Sequence, residues 1–195
     1  MLSATGADAP SDNPGWRMPA ETEPHERTWM AWPAGGYTLG SSWGEAETAR
    51  RAWASVANAI VDVEPVSMIV PPTAAAEATR LLSSAVDLYF RPLDDAWYRD
   101  IGPTFVLGPD GRLGAVDWLF NGWGAQSWAR WELDAGAAEV AITAAGATAI
   151  RSALTTEGGG IHTDGQGTFL LTETVQLDAH RNPGWVKAAV EAELS

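Results

Sequence analysis

Val66-Ser67-Met68-Ile69-Val70-Pro71-Pro72 is the stretch that decides the fold. Its first five residues are mostly apolar and partly β-branched, which reads as a buried strand, and the two prolines stop it. Thr73 is then placed to cap a helix over 74–83, and Val86 to Phe90 reads as the next strand. Upstream, Thr28 to Trp32 is a short apolar run closed by Pro33 and a glycine pair, again a strand. Between the first two strands, Glu45 to Val61 carries Ala49, Ala52, Trp53, Val56 and Ile60 at helical spacing.

The alternation continues downstream with a variation. Thr104 to Leu107 and Arg112 to Trp118 flank Gly108-Pro109-Asp110-Gly111, a hairpin turn. Leu133 to Ala145 is alanine-rich and predicts a helix ended by Gly146, followed by a strand over 147–152. Glu157 to Gly167 is a glycine-rich loop with two acids and one histidine. A strand over 168–172 and a helix over 183–194 complete the pattern, with Pro183 near the first helical turn. Hairpins interrupt the βαβ rhythm, so the expectation is an α/β domain with mixed sheets rather than a simple doubly wound one. A diverged repeat of strand, strand, helix, strand is compatible with this order.

The bulk numbers bound the class. A length of 195 residues suits one sizeable domain, and 46% apolar with 19% charged residues is a globular composition. No apolar run reaches the roughly 18 to 20 residues of a membrane span. Met1 to Pro14 has neither a basic start nor an apolar stretch, so it is not a signal peptide; residues 1–16 read as a flexible tail before a domain over 17–195, and a cytoplasmic location is expected. The chain has no cysteine and therefore supplies no thiol chemistry, disulfide or cysteine-bound zinc. A net charge of −13 argues against nucleic acid, which needs clustered Lys and Arg. It suits either plain solubility or attraction of a small cation. Among the eleven tryptophans, most should be packing, and one or two could face a flat cation.

Two segments concentrate polar chemistry. Asp94-Asp95-Ala96-Trp97-Tyr98-Arg99-Asp100 follows a strand end, where α/β folds commonly place sites. It could hold a cation, or it could be a solvated loop whose Arg99 pairs with an acid. Glu157-Gly158-Gly159-Gly160-Ile161-His162-Thr163-Asp164 places His162 and Asp164 on one face of an extended segment. A histidine suits proton transfer, and glycines admit a ligand close to the backbone. A mobile loop with an incidental histidine is the alternative, and one His with one Asp is too few ligands for a metal. His25, beside Glu23, Glu26 and Arg27, suits a structural hydrogen bond, and His180 lies in a polar turn.

Taken with Met18 to Pro33, Asp94 to Val106, Val116 to Gly124, Glu157 to Thr168 and Arg181-Asn182-Pro183, the chain resembles the agmatine deiminase and bacterial peptidyl-arginine deiminase family from about residue 17 to its end. The resemblance implies a pentein α/β propeller of five units, of which about three would be present. It implies no cofactor or metal, and hydrolysis of agmatine by water to N-carbamoylputrescine and ammonia. In that chemistry a cysteine thiolate attacks the guanidinium carbon while two carboxylates grip its nitrogens. Asp100 and Asp164 match the two acids, His162 the acid/base, Trp97 a stacking aromatic, and Glu157 a substrate-binding neighbour. The family's nucleophilic cysteine lies further downstream than residue 195, so the resemblance implies an N-terminal portion, inactive alone. The alternatives are a peptidyl-arginine substrate, a non-catalytic guanidino or polyamine binder, or a part complemented by a separate C-terminal half or a homo-oligomer.

Overall fold

Three parallel strands form the first layer, and the central one is buried on both faces. β1 (Thr28–Ala31), β2 (Val66–Val70) and β3 (Asp87–Phe90) run parallel in that order, with Met30 opposite Met68 and Met68 opposite Leu88. All five residues of β2 are buried, as expected of a central parallel strand covered on both sides. The computed structural model in which these elements are seen describes residues 15–195.

Helix α1 (Trp43–Ile60) makes the crossover from β1 to β2. It begins two residues before the expected Glu45 because Ser42 and Glu45 form a reciprocal capping box, satisfying amides that the first turn leaves open. Its Ala54 and Ala57 pack on Trp32, Val66, Met68 and Val70. Helix α2 (Ala75–Leu81) is not capped by Thr73. Pro71-Pro72 start a 3₁₀ turn first, the Ala74 amide bonds the Pro71 carbonyl, and Ala74 takes the cap position without a side-chain bond.

The other face of this sheet builds a second core. Ala31 and Ile69 meet Leu93, Tyr98, Ile101, Phe120, Ala137 and Ala141. A one-turn helix, α3 (Tyr98–Ile101), therefore lies against the sheet rather than in a free loop. The second sheet holds β4 (Thr104–Leu107), β5 (Leu113–Leu119) and β6 (Thr148–Thr155); β4 pairs antiparallel with β5 through the expected turn, and β6 joins β5 in parallel. The expected helix over 133–145 is split into a 3₁₀ turn, Asp134–Gly136, and α4 (Ala138–Ala144). Asp134, buried at the break, turns its carboxylate to other backbone amides.

The third sheet is a short antiparallel pair, β7 (His162–Thr163) and β8 (Phe169–Leu170). β8 stops before the expected Thr172 because Thr172 begins α5 (Glu173–Gln176). The last helix, α6 (Lys187–Glu193), starts after Pro183, since the Trp185 amide closes a turn on the Asn182 carbonyl. The mixed sheets and the absence of a simple doubly wound pattern match the sequence reading. Of the expected tail, residues 1–14 lie outside the described residues. Trp16 is half-buried, its ring fills the space beside Gly108 and Gly114 under the Arg112 guanidinium, and Arg17 pairs with Leu107 on the β4 edge. Among the described residues no helix is long and apolar enough to cross a membrane.

Candidate functional site

Two arms carry the charged residues, and each is fixed by the core beneath it. The first leaves β3. Leu93 is buried, and the amides of Asp94 and Asp95 donate to the Asp134 carboxylate at 2.8 and 3.2 Å. Desolvation of that carboxyl, with the charges of Asp94 and Asp95 beside it, outweighs the two amides and pushes Asp134 up to about 7. The Trp97 carbonyl then accepts the Asp100 amide at 2.9 Å, closing α3. Tyr98 and Ile101 point into the core, which leaves Arg99 and Asp100 on the outer side of the turn.

Asp100 has both carboxylate oxygens engaged. Oδ1 accepts the Gly159 amide at 3.1 Å, and Oδ2 accepts the Trp123 indole N–H at 3.0 Å. Gly159 belongs to the second arm, which leaves the end of β6. There a Cβ would run into the Asp100 carboxylate, so only glycine admits this approach. Within the expected glycine-rich loop, Gly158–Gly160 form a packed 3₁₀ turn, with Gly158 buried against the Arg99 backbone.

Glu157, at the base of that turn, is only 4% exposed. Its Oε1 accepts Arg181 Nε at 2.9 Å, and Arg181 Nη1 reaches Asp178 Oδ2 at 2.7 Å. Burial raises the Glu157 pKa; the Arg181 hydrogen bond and charge oppose this, and the negative charge of Asp100 adds to the rise. Two acids from arms 57 positions apart in sequence are therefore close enough to feel one another.

The other expected residues are arranged differently. Trp97 is 41% exposed, its ring edge-on to Trp53 at 6.0 Å in a shallow cleft of about 170 Å³ shared with Trp29, Tyr98 and Arg99. His162 is exposed on β7, near enough to Glu21 to lower that acid's pKa after the larger effect of Arg99, which is ion-paired with Glu21. Asp164 Oδ1 accepts the amides of Gln166 at 2.7 Å and Thr168 at 3.0 Å within its own turn, which lower its pKa. Among the described residues, neither His162 nor Asp164 has a hydrogen bond to Asp100 or Glu157. The structure brings Asp100 to Gly159, two residues from Glu157, and sets His162 and Asp164 on the strand and turn beside Glu21 and Ala20.

Two further residues complete the arrangement, and sequence reasoning gave neither a role. One is Trp123. It has φ 59°, a left-handed conformation that is costly for a tryptophan, and it is held there by the Asn121 side chain, which accepts the Gly124 amide at 3.0 Å. Its ring lies between Phe120, edge-on at 5.1 Å, and Trp128, stacked at 5.3 Å. The other is Arg181. Both stand in segments that carried the family resemblance, and that was the only signal available for them. As expected, His25 makes a structural contact, to the Glu21 carbonyl at 2.8 Å. His180 lies in its turn beside Asp178.

Comparisons with known proteins bear on what this arrangement serves. Residues 17–195 match the family described as Porphyromonas-type peptidyl-arginine deiminase. A protein of Streptomyces avermitilis, provisionally named an agmatine deiminase, is 57% identical over 180 residues; the match covers 92% of this chain and 52% of that protein. A Streptomyces coelicolor protein of the same provisional name is 57% identical over 179 residues, with the same coverage. The solved structure of the agmatine deiminase of Enterococcus faecalis superposes with a TM-score of 0.83 at 34% identity, covering 92% of this chain and 50% of that one. The chain thus spans about half the length of the relatives it matches. With the fold, the match over residues 17–195 and these relatives in agreement, the chain belongs to the Porphyromonas-type peptidyl-arginine deiminase family.

Proposed function

We propose that the chain is the guanidinium-gripping part of a hydrolase that cleaves a guanidino C–N bond, with agmatine as substrate and N-carbamoylputrescine and ammonia as products. One observation carries this reading: Asp100, on the first arm, accepts the Gly159 amide two residues beyond Glu157 on the second arm, which puts both acids at one turn. Guanidinium is planar and offers N–H groups in a fork, which two fixed carboxylates can accept while holding the central carbon still for attack. The Trp123 indole and the Gly159 amide fix the Asp100 carboxylate in advance, so little ordering is left for binding. Trp97 and Trp128 offer exposed rings near the arms for a cation, and the charge of −13 steers a dication inward.

The second acid is assigned to Glu157, which lies two residues from the Gly159 amide that Asp100 accepts, whereas Asp164 stands in its own turn with Oδ1 on the amides of Gln166 and Thr168. No proton carrier is assigned, because His162 shares its surroundings with Glu21 and Arg99 rather than with Glu157. The covalent step needs a thiolate at the guanidinium carbon, which 195 residues without cysteine do not supply. The three sheets are read as three units of a five-unit pentein propeller, with turnover requiring a thiolate from outside these 195 residues. Agmatine is favoured over peptidyl-arginine because the nearby guanidinium groups are engaged. Arg99 holds Glu21 and the Gly158 carbonyl, and Arg181 holds Glu157 and Asp178, which leaves neither for a substrate carboxylate.

Calorimetry of the purified chain with agmatine and with arginine tests this. Binding of agmatine, weaker binding of arginine and no ammonia release are expected. An absence of agmatine binding overturns the reading, and ammonia release by these 195 residues alone overturns the requirement for an added thiolate.

A further inference from the structure

We propose that Arg181 is the positioning residue of the carboxylate pair, holding Glu157 directly and Asp100 indirectly through the 121–125 turn; this rests on the guanidino-binding reading above. The Arg181 side chain is 11% exposed, and its fork is divided between two acids, Nε to Glu157 and Nη1 to Asp178. Its backbone is anchored by the residue its guanidinium grips. The Asp178 carbonyl accepts the amides of Arg181 at 3.0 Å and Asn182 at 2.7 Å, and Asp178 Oδ1 accepts the His180 amide at 3.0 Å.

The next residue ties this turn to the arm that carries Glu157. Asn182, 2% exposed, accepts the Thr155 amide at 2.9 Å and donates to the Thr155 carbonyl at 2.8 Å and the Gln176 carbonyl at 3.0 Å. Thr155 ends β6, two positions before Glu157, so the guanidinium and its acid stand on one frame.

The same turn supports the Trp123 turn from below. At Gly124, with φ 87°, a Cβ would stand 2.6 Å from Asp178 Oδ2 and 2.9 Å from Arg181 Nη1, so the backbone rests directly on the ion pair. Asn121 Nδ2 donates to the His180 carbonyl at 2.8 Å. Trp123, between these two contacts, reaches Asp100 Oδ2. Arg181 therefore sits under both acids. A lysine would supply the charge but not two N–H groups aimed at two acids, nor a flat group of that width under Gly124.

The test follows two NMR signals in the 195-residue chain, the Glu157 carboxyl carbon through a pH titration and the Trp123 indole N–H, in wild type, Arg181→Gln and Arg181→Lys. Arg181→Gln should raise the Glu157 midpoint, displace the Trp123 indole signal while leaving that of Trp53 in place, and weaken agmatine binding by about tenfold, the value of a lost charged hydrogen bond. Arg181→Lys should restore the Glu157 midpoint in part but not the Trp123 signal. Folded variants in which both signals stay at their wild-type positions overturn the proposal. If Arg181→Gln does not fold, the lysine variant decides, and an unchanged Trp123 signal with wild-type agmatine affinity overturns it. A wild-type chain that binds no agmatine sinks the guanidino reading instead and leaves both signals to judge Arg181.

Discussion

At the scale of single residues, the site depends on two acids held in place by the donors around them. Asp100 keeps two neutral donors on its oxygens, and Glu157 keeps a cation. Replacing either by its amide removes a charge that a guanidinium needs and adds an N–H that repels it. Asp100→Asn and Glu157→Gln should each weaken agmatine binding by roughly ten- to a hundredfold, read by calorimetry. Asp164→Asn and His162→Ala should change it by less than about twofold, since Asp164 serves its own turn and His162 stands beside Glu21. A large loss in Asp164→Asn would return the second-acid role to Asp164.

At the scale of elements, caps and turns set where the arms begin. Ser42 starts α1, and its replacement by alanine removes the capping bond to Glu45, which should cost about 1 kcal/mol in urea denaturation and leave agmatine affinity unchanged. The 176–182 turn is less tolerant. Asn182→Ala leaves the Thr155 amide without a partner at a buried position and removes three hydrogen bonds, so it should cost about 3 kcal/mol. A loss under 1 kcal/mol would show that the β6 end is held by other means. The left-handed Trp123 shows the opposite economy: a local backbone cost is tolerated because Asn121, His180 and Arg181 over-determine the turn.

At the scale of the whole molecule, the first arm is tied to the core by a buried acid, and this has a consequence for pH. Asp134 titrates near 7 when folded and near 3.8 when unfolded. Between those values the folded chain holds a proton that the unfolded chain has lost. Stability therefore falls as pH rises from about 4 to 7, by at most about 1.4 kcal/mol per pH unit from this group. Asp134→Asn has no such proton, so the stability of wild type relative to the variant should decline across that window. Parallel stability curves for the two proteins would refute the assignment. The acids with lowered pKa, such as Glu21 and Asp164, act the other way. Their contribution is present above their unfolded values and is lost as pH falls below them.

The sequence by itself determined the strands at 28–32, 66–70 and 86–90, the hairpin at 108–111 and the mixed α/β order, because apolar periodicity and proline or glycine stops are local quantities. It also determined the chemical character of the two polar segments, since charge and glycine content are readable without coordinates. Only the tertiary structure decided that Asp100 bonds the Gly159 amide, two residues beyond Glu157, while Asp164 turns Oδ1 to Gln166 and Thr168. The difference turns on whether a carboxylate is met by amides of its own turn, as Asp164 is, or by a residue far along the chain, as Asp100 is by Gly159, and both options have the same local sequence signature. The roles of Trp123 and Arg181 were hidden for a related reason. A left-handed tryptophan and a guanidinium split between two acids exist only once the β6 end, the 121–125 turn and the 178–182 turn are packed together.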